Sequence, residues 1–242
     1  VTSNGYYVYL NSAFGIENSA ALEGFDTPDV KIFAALADFD GSAGPEPVFY
    51  TEAGRLFGKT LTDQYISASE DDVTDIPYSA PAIGNVDSDG LPDIIFHFNE
   101  FLYGFTYRGI NTLNFPVKVS DMGGLDLERP APVFFNDDGE GAVIISATPD
   151  GQLLALNGKG RLLSGFPLTA GGGISVTPAL ADLDNDGDVE CAAISQDGYL
   201  FVWDLPYSAD LTESWSQYGA DQHNSFLLPL SLIHISEPTR PY

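Results

Sequence analysis

The sequence predicts an all-β chain built from repeated four-stranded sheets arranged as a β-propeller, and three observations predict it. Acidic, glycine-bearing loops recur with first positions at residues 38, 85, 134 and 182, a period of about 48 that lies in the range of solenoids, propellers and arrays. Each loop is followed by a short apolar run, such as Ile94, Ile95 and Phe96, and then by a turn signal such as Pro149-Asp150-Gly151, which is a hairpin pattern. The runs are short, and nothing between them has the 3.6-residue periodicity of an amphipathic helix.

The units follow in order. Residues 1–32 begin in the middle of a unit, because Gly5, Tyr6, Tyr7, Val8, Tyr9 and Leu10 match Gly198, Tyr199, Leu200, Phe201, Val202 and Trp203. Residues 33–79 form the next unit, with Val48, Phe49 and Tyr50 as the strand after its loop. Residues 80–128 open on Ala80-Pro81-Ala82, which matches Thr177-Pro178-Ala179 at the start of the unit 177–229. Residues 129–176 close on Phe166-Pro167, as the preceding unit closes on Phe115-Pro116. Each unit reads as strand, acidic loop, strand, turn, strand and a weaker fourth strand, which is a propeller blade. About four and a half blades are visible, over residues 1–229. A linear β-helix is the alternative fold, though its coils are usually shorter.

Residues 230–242 stand apart. Leu230 to Arg240 resembles the conceptual translation of a transposon-end sequencing adapter, so this segment is expected to be a non-native tail that packs on nothing. The chain starts at Val1 with no signal peptide in view and looks like the inside of a longer protein.

Composition narrows the function. The formal net charge is −26, with 35 acids against 9 bases, a surface that repels nucleic acid. No apolar run approaches the length of a membrane span. The one cysteine, Cys191, lies in an apolar run and reads as a buried small hydrophobe, so no disulfide framework exists within the chain. The absence of any N-x-S/T acceptor favours a bacterial origin.

The loops carry the chemistry. Asp182, Asp184, Asp186 and Asp188 alternate along the chain, and Glu190 closes the set. Drawn into a tight loop these acids repel unless a cation sits among them. A hard divalent ion takes six to eight oxygens, and Gly187 allows the sharp turn. The start shares D-x-D-x-D-G with an EF-hand, but the twelfth position is Ala193 and the last acid comes at the ninth. The apolar run that follows is a strand, so the motif is a calcium loop between two strands. Asn85, Asp87, Asp89 and Asp93 repeat the frame, and Asp38, Asp40, Ser42 and Glu46 keep it more loosely. The frame at Phe134 keeps the turn and loses both outer ligands, at Phe134 and Ala142.

At these residues the chain resembles the FG-GAP/VCBS repeat family, whose calcium-bearing blades also occur in the head domains of integrin α-subunits. The resemblance covers residues 1–229. It implies that Asp182, Asp184, Asp186 and Glu190 donate side-chain oxygens and Asp188 its carbonyl. It implies the same of Asn85, Asp87, Asp89 and Asp93 with the carbonyl of Leu91. Asp38, Asp40, Ser42 and Glu46 would act with the carbonyl of Gly44. Two bound calcium ions are expected, with a third at Asp38. The stretch from Trp215 to Asn224 resembles the segment that often follows the final blade in secreted bacterial members. Val202-Trp203-Asp204 looks like a WD-repeat strand ending, but no other unit carries Trp-Asp.

Few residues suggest catalysis. His97 occupies a strand position that needs no imidazole, His223 has no evident partner, and His234 lies in the tail. No nucleophile elbow, phosphate loop or Cys-His cluster occurs. The matched aromatics read as blade packing. The expectation is a secreted or cell-surface, calcium-stabilised interaction or adhesion module with a protein or carbohydrate ligand. The alternative is the propeller domain of an extracellular polysaccharide lyase or hydrolase.

Overall fold

The computed structural model describes residues 6–10, 16–21, 32–39, 41, 45–51, 55–58, 64–65, 78–106, 114–119, 129–137, 141–208, 211 and 214–228. The expected tail, residues 230–242, lies outside the described residues, as do the predicted ligands Asp40, Ser42 and Gly44. The chain divides into two compact units, Val1–Ile32 and Phe33–Tyr242. The first holds one antiparallel pair, β1 (Tyr6–Leu10) and β2 (Ile16–Ala21), with a register shift between Tyr9 and Leu10.

The second unit is a run of antiparallel sheets, each of strands taken in chain order. One sheet is β3 (Ile32–Ala37), β4 (Glu46–Thr51), β5 (Arg55–Gly58) and β6 (Gln64–Tyr65). The next is β7 (Ala82–Gly84), β8 (Asp93–Phe98), β9 (Phe101–Phe105) and β10 (Val117–Lys118). It is followed by β11 (Val133–Asp137), β12 (Gly141–Ala147), β13 (Gln152–Asn157) and β14 (Leu168–Thr169). The last described sheet has three strands, β15 (Ala179–Ala181), β16 (Asp188–Ile194) and β17 (Leu200–Ser208). This is the all-β, blade-by-blade organisation of a β-propeller, as the repeat predicts. The fourth strand expected in the last unit is not among the described strands.

Strands buried on both faces hold the sheets together. β8 is buried along its whole length, as its unbroken run of Ile, Phe and His foretells. One apolar core joins the sheets of β3, β7 and β11, through residues such as Tyr50, Phe96, Ile94, Phe134 and Ile144. Within it Tyr50 stacks on Phe96 with ring centroids 4.3 Å apart, so an aromatic pair links two sheets. A second core joins the sheets of β11 and β15 through Val143, Ile145, Leu153, Val189 and Cys191. Cys191 is buried, as expected, and burial pushes its thiol up to about 12.

First strands of neighbouring sheets come together. β7 packs on β11, and a Cβ placed on Gly84 would meet the Phe134 ring at 2.2 Å, so only glycine fits there. Residues 214–228 then run back along the first strands β15, β11 and β3. Leu180 donates to the Ser216 carbonyl at 2.8 Å, and Phe134 and Trp215 exchange bonds of 3.0 and 2.8 Å. Leu36 donates to the Phe226 carbonyl at 2.7 Å and accepts from the Leu228 amide at 2.9 Å. Trp215 is fully buried in the first core.

One face of the last sheet is open. The turns Thr148-Pro149-Asp150-Gly151 and Ser195-Gln196-Asp197-Gly198 are equivalent, each with a hydroxyl bonded to the Asp two residues on. They align Ala147, Leu153 and Ala155 with Ile194, Leu200 and Val202. The former are 1%, 0% and 0% exposed and the latter 50%, 65% and 50%.

Candidate metal centre

Three loops share one construction. Gly84 pairs with Asp93 and Ala181 with Glu190, so residues 85–92 and 182–189 bridge first and second strands in the same register. In each loop the ninth-position acid accepts a bond from the amide of the second residue. Phe39 N donates to Glu46 Oε2 at 3.0 Å, Val86 N to Asp93 Oδ2 at 2.8 Å, and Leu183 N to Glu190 Oε2. The fourth residue is left-handed in all three, with φ of 71° at Gly41, 64° at Ser88 and 62° at Asn185. Gly90 and Gly187 add a second left-handed turn at the sixth position, where glycine is free of the Cβ clash.

The interior acids organise the turns. Asp87 Oδ1 accepts from Asp89 N at 3.1 Å and Asp89 Oδ1 from Leu91 N at 2.8 Å. Asp184 Oδ1 accepts from Asp186 N at 3.2 Å and Asp186 Oδ1 from Asp188 N at 3.0 Å. These Asx turns each use one carboxylate oxygen, so the other remains for a ligand.

The decisive atoms are at the ends of the loops. Asp38 Oδ1, Asn85 Oδ1 and Asp182 Oδ1 are all buried with no hydrogen-bond partner among the described residues, and so is Glu190 Oε1. Burying an acceptor unpaired costs about 1–3 kcal/mol. The same orphaned acceptor recurs at the first position of all three loops. Ligand oxygens of Asp182, Asp184 and Glu190 lie within 4.8 Å of one another, a spacing that one cation spans. Asp186 and Asp188 are exposed and fall outside that group of three. The residues therefore fit a hard divalent ion. In the second loop burial, and after it the charge of Asp87, pushes the Asp93 carboxyl up to about 7, partly offset by the amides of Val86 and Asp87. A cation beside Asp93 would reverse that direction.

The fourth frame is different from its sequence reading. Phe134 is no loop residue: it lies inside β11 opposite Ile144, and the ladder runs on through Asn136 opposite Ala142 to Asp137 opposite Gly141. Phe135 pairs with Val143 where Gly84 pairs with Asp93, so the register equivalent of Asn85 is Asn136, two residues later than the first position read from sequence. Only residues 138–140 separate the paired ends, against residues 85–92 in the preceding sheet. The Asn-Asp-Asp-Gly composition imitates the acidic frame, but the shorter connection closes as a hairpin. The same correction matches His97 with Ala147 instead of Ser146.

His97 is structural in its surroundings. It is buried, its Nε2 lies 3.1 Å from Ser146 Oγ on the neighbouring sheet, and its amide donates to Ser79 Oγ at 2.9 Å. Burial, then the positive charge of Arg129, lowers its imidazole to about 3. Sequence reading found neither this inter-sheet bond nor the role of residues 214–228. The first depends on adjacency of blades, and the second on backbone groups that leave no side-chain signature.

No protein-family model matches the sequence, and no curated protein matches it. Solved structures with a similar fold do exist. BBS1N, crystallised in complex with ARL6DN and soaked with lead, is similar with a TM-score of 0.50 and 13% identity over 73% of this chain. The chain spans about half the length of BBS1N, 54% of it. The computationally designed Ika4 protein matches at a TM-score of 0.48 and 15% identity, over 76% of this chain and 96% of that one. The Vibrio cholerae biofilm matrix protein Bap1 matches at 0.42 and 12% identity, over 89% of this chain and 41% of that one. BBS1N is a β-propeller, and its likeness adds to the strand topology in defining the class of this chain: a β-propeller repeat protein.

Proposed function

We propose that this chain is a calcium-stabilised β-propeller of the FG-GAP/VCBS type, acting outside the cell as an interaction or adhesion module. One observation supports the reading above others: three loops bury an unpartnered first-position oxygen, with a ninth-position acid closing each. Calcium in such loops neutralises the acids and fixes first strand to second, so its role is structural. The propeller is then a rigid frame whose surface meets a protein or carbohydrate ligand. BBS1N, a propeller of similar fold, was crystallised with a protein partner, which supports a protein ligand.

Isothermal titration of the chelator-treated chain with calcium, and separately with magnesium, tests the reading. Calcium is expected to bind at two sites and to raise the melting temperature, with magnesium much weaker, because the loops offer many oxygens in a flexible frame. A melting temperature that is the same in calcium and in chelator would overturn it.

A further inference from the structure

The segment 214–228 bonds to the first strands just ahead of the acidic loops, in a way that the loops' own sequence does not reveal. It bonds β15 at Leu180, two residues before Asp182, and β3 at Leu36, two residues before Asp38. It bonds β11 at Phe134, two residues before Asn136, the register equivalent of the first ligand. At each strand the bond thus falls at the same distance from the position that opens the loop. The contacts are backbone to backbone, from one continuous piece of chain, anchored by the fully buried Trp215 and by Phe226 packed edge-on against it at 6.4 Å. Among the described residues β7, which leads to the Asn85 loop, has no such bond.

We propose that residues 214–228 are a strap that positions the first ligand of the Asp182 and Asp38 loops, so that docking of the strap and cation binding in those loops are coupled. This rests on the calcium reading above. The orphaned oxygens Asp182 Oδ1 and Asp38 Oδ1 sit at the ends of strands whose depth and tilt the strap fixes. A displaced strap lets β15 and β3 shift, and the first ligand moves away from the others. Coupling is reciprocal: whatever the strap does for cation affinity, the cation does for strap docking. The Asn85 loop is a control inside the same molecule.

Amide hydrogen exchange on the full chain, with and without calcium, tests this. Calcium is expected to slow exchange in the 182–190 loop and also at the Leu180, Trp215 and Leu228 amides, by about 5–100-fold for a typical coupling. Asp184→Ala should abolish the slowing at Leu180 and Trp215. Slowing confined to the loop would overturn the coupling while leaving the calcium reading intact. Slowing nowhere would overturn both. Trp215→Ala gives a second arm, measured by calcium titration. In an Asp87→Ala background it is expected to weaken the Asp182 loop, and in an Asp184→Ala background to leave the Asn85 loop unchanged. Equal weakening of the two loops would show Trp215 to be general packing and would overturn the proposal. Should that variant fail to fold, the exchange experiment on the unaltered chain decides.

Discussion

The 182–190 loop and the 136–142 hairpin join the same two strands of neighbouring sheets, and they do so by opposite chemistry. In the hairpin the ladder continues to Asp137 and Gly141, backbone groups satisfy one another, and Phe134 fills space against Gly84. In the loop the ladder stops at Ala181 and Glu190, and side-chain oxygens are left buried without partners. The difference shows that the blade does not need a cation to be a blade. The inward-folded frame with acids at alternate positions is present where residues 85–92 and 182–189 join the strands, and it is lost where only residues 138–140 do.

The comparison can be broken in several places. The largest effect is expected from Phe134→Ala, which empties a fully buried aromatic site and should cost about 3–5 kcal/mol in urea denaturation. The loss should be the same in calcium and in chelator. A loss that depends on calcium would mean that the hairpin also answers to the ion.

Asp182→Ala comes next. It should remove the calcium-linked stabilisation that its own loop contributes, about 2.7 kcal/mol at a hundredfold excess over Kd, and do little or even stabilise in chelator as acid repulsion is relieved. Ligand charge orders the loops, with four side-chain carboxylates at Asp182, three beside a neutral Asn at Asn85, and Ser42 replacing a carboxylate at Asp38. Melting temperature in calcium should accordingly fall more for Asp184→Ala than for Asp87→Ala, and least for Asp40→Ala. The reverse order would sink the charge argument.

His97 gives a pH response independent of the ion. Its folded value is depressed to about 3, so its neutral form is favoured in the folded chain. The contribution is complete above the unfolded value of about 6.5 and is lost as pH falls toward 3. The expected loss is about 1–2 kcal/mol by pH 5, read as the difference between the chain and His97→Gln in chelator. A flat difference from pH 7 to 5 would show that the histidine charges freely.

The smallest effect sets two acids side by side. Asp137 accepts from the Ser208 amide at 3.1 Å and so ties β11 to β17. Asp137→Ala should cost about 0.5–1.5 kcal/mol, equally with and without calcium, where Asp182→Ala responds to the ion.

Much of this was legible in the sequence. Apolar runs placed β8 and β12, because a strand covered on both faces needs an unbroken run, and also β16, whose run is apolar although one of its faces is open. The ninth-position acids Asp93 and Glu190 were legible because they must face the loop whatever else the chain does. The frame at Phe134 was misread because Asn136, Asp137, Asp138 and Gly139 have loop composition, while the deciding quantity is the number of residues between paired strands. The strap was invisible for a different reason. Its bonds run from peptide groups, which every sequence has, so the stretch from Trp215 to Asn224 stood out without showing which strands it joins.

The open face of the last sheet has a colloidal consequence. Ile194, Leu200 and Val202 present an aliphatic stripe to solvent on a molecule of net charge −26. At low ionic strength the long-range repulsion between such polyanions exceeds the short-range attraction between their stripes, and solutions stay clear. Added salt shortens the screening length from about 30 Å at 0.01 M to about 3 Å at 1 M, and the balance tips. Static light scattering should therefore show attraction growing with sodium chloride, the opposite of salting-in, and Leu200→Asp should restore the repulsion.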